Sequence, residues 1–224
     1  MPRRIIPLAT GEIYHVVNRG VNQQPIFHDR RDYKRALEIL SYYRFVKPPV
    51  RFSFLNRLVP EEQGRIWKEL EKKAQRLVTI FSFCLMPNHF HLLLRQEKEN
   101  GISRFLANFQ NSFTRYFNTR HKRSGHLLQG QFKAVRIENE NQFLHTCRYI
   151  HLNPYTSFVI RTPQELKTYP WSSLKEYMGD DPCTICELDT ILSSFPSKER
   201  YLRFILDQKD YQRALGQIKH LLLE

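Results

Sequence analysis

A chain of 224 residues can hold one domain with a full core and a small appendage besides. A hydrophobic content of 41% excludes a disordered tail, and no apolar run reaches the ~18 residues that a membrane span needs. With 35 Lys+Arg against 22 Asp+Glu the net charge is +13, which points to a polyanionic partner, nucleic acid rather than membrane. The N-terminal run MPRRIIPLATGEIYH lacks a long apolar core before a small-residue cleavage site, so no signal peptide is expected. Cys84 and Cys147 fall in segments that read as buried elements, and Cys183-Thr-Ile-Cys186 is a lone CxxC, weak for zinc without a second pair. A cytoplasmic, reducing compartment is the expected setting.

Glu12–Arg19 alternates as a first strand, and Asn18-Arg19-Gly20 begins a turn. Asp29 is placed to cap a helix whose apolar stripe is Tyr33, Ala36, Leu37 and Leu40, with Lys47-Pro48-Pro49 as its stop. Pro60-Glu61-Glu62 starts an amphipathic helix through Ile66, Leu70, Ala74 and Leu77, whose charged face reads as solvation. Ser82–Arg95 follows as two strands joined by a tight Pro87-Asn88 turn. In the second strand His89 and His91 share one face, while Phe90, Leu92 and Leu94 share the other. Two neutral imidazoles side by side on one strand are half of a metal site; the alternative is a pair of half-exposed histidines with no ligand.

After Gly101 a longer helix runs through Ile102, Phe105, Leu106, Phe109, Phe113 and Tyr116. Its far end carries Arg115, Arg120, His121, Lys122 and Arg123, then Ser124-Gly125. Cations beside aromatics suit phosphate contacts and base stacking, although cations also favour a helix C-terminus for its dipole alone. Gln131–Ile137 reads as another strand, with Lys133 and Arg136 available for phosphate. Asn139–Asn153 then reads as a helix with His145, Tyr149 and Asn153 in one stripe and Phe143, Leu144, Cys147, Ile150 and Leu152 as apolar surface. Pro154 is expected to end it, Tyr169-Pro170-Trp171-Ser172-Ser173 to form a turn and cap before Leu174–Met178, and short helices to follow over about 187–195, 197–207 and 209–222.

Three stretches together, Met86-Pro87-Asn88-His89-Phe90-His91-Leu92-Leu93-Leu94, Tyr149-Ile150-His151-Leu152-Asn153-Pro154 and Tyr169-Pro170-Trp171-Ser172-Ser173, resemble the single-tyrosine HUH transposases, nearest their REP-associated branch. Tyr14-His15-Val16-Val17-Asn18-Arg19-Gly20 and Gly130-Gln131-Phe132-Lys133 agree less decisively. The resemblance implies an α+β, ferredoxin-like antiparallel sheet with packed helices over residues 1–180, plus a helical C-terminal extension over 181–224. It also implies that His89, His91 and Asn153 hold a divalent ion, magnesium or manganese, and that Tyr149 is the nucleophile. Relatives of the insertion-sequence type often have Gln where Asn153 stands. Single-stranded or hairpin DNA is the implied partner, with Arg19, Arg115, Arg120, Lys122, Arg123, Lys133 and Arg136 as candidate contacts and a monomer or homodimer as the assembly. The segment of about 46–78 is longer than such a domain requires and reads as a helical insertion.

The implied chemistry is cleavage of single-stranded DNA through a 5′-phosphotyrosine link. A tyrosine hydroxyl, with an ordinary pKa near ~10, needs a base or a positive field to act. His145, His151, a metal-bound water or a nearby lysine are the sequence candidates for that base. Glu138 and Glu140 read as a solvated face. A histidine-triad nucleotide hydrolase would need another histidine where Leu93 stands. A non-cleaving nucleic-acid binder derived from a transposase is the alternative from another class.

Overall fold

A computed structural model describes residues 7–179 and 185–209. Cys183, the first six residues, the start of the expected extension and almost all of the helix expected over 209–222 lie outside the described residues. Four strands, β1 (Ile13–Arg19), β2 (Val78–Met86), β3 (His89–Gln96) and β4 (Lys133–Arg136), make one sheet in the order β2-β3-β1-β4, and every pairing is antiparallel. With helices α1 (Arg30–Tyr43) and α4 (Gly101–Arg120) on one face, this is the expected α+β, ferredoxin-like arrangement.

Period-two alternation gives β3 two different faces. Phe90, Leu92 and Leu94 enter a core with Ala36, Ile39 and Leu40 of α1 and Phe105, Phe109, Phe113 and Phe117 of α4. Those four phenylalanines recur every four residues and are at most 1% exposed; burying each stabilises the packing by about 1.5–3 kcal/mol. The opposite face, with Leu93, Cys84 and Met86, packs under α5 (Glu140–Thr156), whose Phe143, Cys147, Ile150 and Leu152 point inward. Helices α6 (Leu174–Met178), α7 (Asp189–Leu192) and α8 (Lys198–Leu206) complete that second core through Leu174, Tyr177, Ile191, Tyr201 and Ile205.

Several boundaries depart from the sequence expectation. Asp29 caps α1 as expected, accepting from the Arg31 and Asp32 amides, but the helix stops at Tyr43, ahead of Lys47-Pro48-Pro49. Beyond it, Phe45 bridges to Arg76 and the Leu77 amide donates to the Arg44 carbonyl, so extended pairing ends the helix. The segment of about 46–78, expected to be an insertion, holds a short helix, α2 (Phe52–Leu55), before α3 (Pro60–Lys73); four residues are too few to show periodicity. Ala74, expected inside α3, is its left-handed cap at φ 48°, and Leu77 lies beyond it. Pro154 does not end α5: it removes one donor, but the Ser157 amide still donates to the Asn153 carbonyl and the helix reaches Thr156.

Tyr169-Pro170-Trp171-Ser172-Ser173 does more than turn the chain. The Leu85 amide donates to the Trp171 carbonyl and the Ser173 amide to the Phe83 carbonyl, so this segment covers the outer edge of β2. Ser173 makes no side-chain cap for α6; its hydroxyl is held by the Phe83 backbone and His151 instead.

Gly101 opens α4 where the chain passes closest to the strand end: a Cβ there would lie 2.2 Å from the Leu77 carbonyl oxygen. A Gly→Ala change in a helix ordinarily adds about 0.8–1.0 kcal/mol of stability. Here we expect Gly101→Ala to cost about 1–3 kcal/mol, measured by urea unfolding, because the backbone must yield.

Candidate functional site

Antiparallel register builds the polar side of the sheet. Across from β3, Arg19 faces His89, Val17 faces His91 and His15 faces Leu93, so the side chains of His15, Arg19, His89 and His91 all rise on the α5 face. His91 is 5% exposed. The His89 and His91 ring centroids are 4.9 Å apart, and His15 meets His91 edge to edge, the ring planes 21° apart and the centroids 5.2 Å apart, with its Nε2 3.0 Å from His91 Nδ1. On the other side of the pair, His89 Nδ1 lies 2.6 Å from Asn88 Oδ1, and the Asn88 amide nitrogen donates to the Gln23 carbonyl at 3.1 Å.

Helix α5 crosses this face. Tyr149 meets His91 edge-on at 5.5 Å and His15 at 5.9 Å, and 38% of its surface is exposed to solvent. Asn153, one turn on, is buried against the His89 side. Its Oδ1 accepts from Ser157 Oγ at 3.1 Å, and its Nδ2 is buried without a hydrogen-bond partner. Turning that amide by 180° would present its oxygen in place of the unmatched nitrogen, with Nδ2 donating to Ser157. Two imidazoles and one carboxamide therefore fit a divalent ion as a donor set.

Burial holds all three imidazoles neutral. His15 and His89 are each pushed down to about 4 by desolvation; for His89 the Arg19 charge lowers it further, while Asn153 pulls partly back. His91 falls well below the ordinary histidine value, through burial first and then its cationic and imidazole neighbours.

The other expected residues divide. Lys133 pairs with Val17 and shares the site face, whereas Arg136 pairs with Tyr14 on the opposite face and forms an ion pair with Glu12 at 2.8 Å. Arg115, Arg120, Lys122 and Arg123 lie on α4 and its exit, across the sheet from Tyr149. Arg120 is bound to Asp29 and Asp32, and Arg123 lies over the Phe117 ring. Arg115 and Lys122 are exposed. Neither base candidate on α5 joins the cluster: His145 packs on Phe204 at 5.8 Å, and buried His151 bonds Ser173 Oγ and Tyr201 Oη, each at 2.8 Å. His15 is the residue that sequence reasoning passed over. Its period-two position on β1 was legible, but its place beside His91 needs the strand register.

A second group, His28, Asp32 and His121, also brings metal-type atoms within 4.8 Å of one another. Its carboxylate is already taken: Arg120 Nη1 is 2.6 Å from Asp32 Oδ1, while the His28 amide donates to Oδ2 at 3.0 Å. His121 Nε2 is 3.1 Å from the same oxygen, so the group reads as a closed polar junction between α1 and α4.

A helix-borne tyrosine thus lies over paired histidines on an antiparallel sheet. The family model described as "Transposase IS200 like" matches residues 39–153, just over half of the chain, and the protein belongs to that family. A solved structure of the REP-associated tyrosine transposase bound to a REP hairpin is similar at a TM-score of 0.46 and 13% identity, covering 85% of this chain and 93% of that one. Comparison with curated proteins gives no match. No described helix is long and apolar enough to cross a membrane.

Tyr201 ties α8 to the tyrosine helix, its hydroxyl lying 2.8 Å from His151 Nδ1 and 3.1 Å from Cys147 Sγ. Tyr201→Phe leaves the buried His151 Nδ1 only its 3.9 Å contact with Cys147 Sγ, and we expect it to destabilise the protein by about 1–3 kcal/mol in urea unfolding.

Proposed function

We propose that the protein is a metal-dependent single-stranded DNA endonuclease and strand transferase that acts through Tyr149 on hairpin-containing DNA. The observation that carries this reading is the meeting of His89, His91 and Asn153 with Tyr149 at one place on the sheet, although strand and helix are about 60 residues apart in sequence. Family membership and the net charge of +13 supply the substrate class. Tyr149 meets His91 of its own chain edge-on at 5.5 Å, which supports a site formed within one chain, in a monomer or a homodimer. The transposase unit is proposed to occupy residues 1–180, with 46–78 as an insertion and 181–224 as an extension. Acting on DNA fits a cytoplasmic setting, as do Cys84, Cys147 and Cys186, which are buried free thiols among the described residues.

In this reading Tyr149 Oη attacks a backbone phosphorus and the bond to the 3′ oxygen breaks. The product is a 5′-phosphotyrosine, and the 3′ oxygen takes a proton as the phenol loses one. Attack by a 3′-hydroxyl on the phosphotyrosine reverses the step and joins strands. A divalent ion, magnesium or manganese, held by His89, His91 and Asn153 would polarise a non-bridging oxygen and offset the developing charge. Arg19, directly across from His89, and Lys133, on the same face, are placed to receive the phosphates on either side. Arg115, Lys122 and Arg123 would extend the contact from the end of α4. Arg120 and Arg136 reach DNA only by leaving Asp29, Asp32 and Glu12.

The test is a denaturing gel with end-labelled single-stranded hairpin DNA from sequence flanking the gene, plus magnesium or manganese. We expect a protease-sensitive covalent adduct on the 5′-phosphate side, abolished by EDTA and by Tyr149→Phe. That variant should keep DNA affinity and stay within about 0.5 kcal/mol of wild-type stability, since only an exposed oxygen is lost. Salt-sensitive binding without an adduct, across several hairpins and both metals, would instead assign a non-cleaving DNA binder.

Salt titrations separate the cations. Arg19→Ala and Lys133→Ala should each lower the slope of log affinity against log salt by about 0.7 on single strands. Arg136→Ala, on the far face and paired with Glu12, should leave the slope unchanged.

A further inference from the structure

We infer that His15 is a positioning residue for His91: it holds the His91 imidazole as the Nδ1–H tautomer and so keeps His91 Nε2 free to accept a ligand. The inference rests on the proposed metal site and adds a residue from β1 that neither the histidine pair nor the tyrosine helix contains.

A neutral imidazole has one N–H and one lone pair, and a bond between two imidazole nitrogens needs one of each. His15 Nε2 and His91 Nδ1 are 3.0 Å apart, so one of them donates. Were His15 the donor, His91 would carry its proton on Nε2 and could bind nothing there. With His91 donating, its Nε2 lone pair is free and His15 carries its own proton on Nδ1. His89 supplies the parallel. Its Nδ1 faces Asn88 Oδ1 at 2.6 Å, and since the other end of that amide donates to Gln23, the oxygen can only accept from His89. His89 is therefore an Nδ1–H imidazole with Nε2 free. Both members of the pair have Nδ1 engaged, one by the turn before β3 and one by β1, which leaves the two Nε2 atoms for a shared ligand. An outer partner that orients a ligating histidine in this way ordinarily affects metal affinity about 10–100-fold.

The ring contacts of His15 with His91 and with Tyr149 also make it a packing residue, so the test must separate the two roles. His15→Phe keeps a ring at the position and removes the acceptor; His15→Gln keeps an acceptor and loses the ring. The first readout needs no metal. Long-range 15N–1H correlation of the histidine rings at pH 8 should show His91 as the Nδ1–H tautomer in wild type and His15→Gln, and as a mixture in His15→Phe. The second readout is manganese titration of the DNA-free protein by calorimetry. We expect affinity to fall roughly 10–100-fold in His15→Phe and to stay within about fivefold of wild type in His15→Gln.

An Nε2–H tautomer for His91 in wild type overturns the inference, as does wild-type manganese affinity in His15→Phe. Equal losses in both variants overturn it too, reducing His15 to packing. Failure of the underlying metal reading looks different: wild type would bind no manganese, while the tautomer pattern across the three proteins would still support the hold of His15 on His91.

Discussion

The site depends on the antiparallel register of β1 against β3. With Val17 opposite His91, the side chains of Arg19, His15 and the histidine pair must all rise on one face of the sheet. A slip of one residue would turn His15 and Arg19 into the phenylalanine core of α4 and bring Tyr14 and Val16 to the site. That error would bury charge and expose apolar surface together, so the core that stabilises the fold also fixes the geometry of its polar side. Tyr14 and Val16 are 5% and 0% exposed on their own face, which shows how firmly the register is set.

The two faces of β3 do different work. One is wholly apolar and meets α1 and α4 through close-packed rings. The other carries imidazoles that desolvation keeps uncharged, and α5 lies across them with an exposed tyrosine at its centre. Helix α5 is itself held from behind. Arg148 lies over the Phe204 ring of α8 at 3.6 Å, and His151 is bonded by Tyr201 and Ser173. The C-terminal helices thus bear on Arg148, next to Tyr149, and on His151, midway between Tyr149 and Asn153, a reason for their presence that their helical pattern alone does not reveal.

Local features were legible in the sequence and distant pairings were not. The strand alternation, the Asp29 cap, the phenylalanine stripe of α4 and the Tyr149–Asn153 stripe each arise within a few residues, and the structure contains them all. The early end of α1 depends on pairing between Phe45 and Arg76, which no local pattern announces. Arg120 read as a free cation because Asp29 lies 91 residues away. The Tyr-Pro-Trp-Ser-Ser stretch read as a cap because its true partner, the β2 edge, comes 84 or more residues earlier. His15 was hidden for the same reason, with 76 residues between it and His91.

Most polar atoms on the site face are matched within the chain. Burying an imidazole or a carboxamide costs free energy unless its donors and acceptors are matched, by about 1–3 kcal/mol for each unmatched group. His15 and His91 match each other, Asn88 matches His89, and Ser157 matches one end of the Asn153 amide. The other end of that amide is unmatched, in a residue 2% exposed. In the reading proposed above, turning that amide would present its oxygen, and His89, His91 and Asn153 would then offer a divalent cation two imidazoles and a carboxamide, a donor set that suits such an ion.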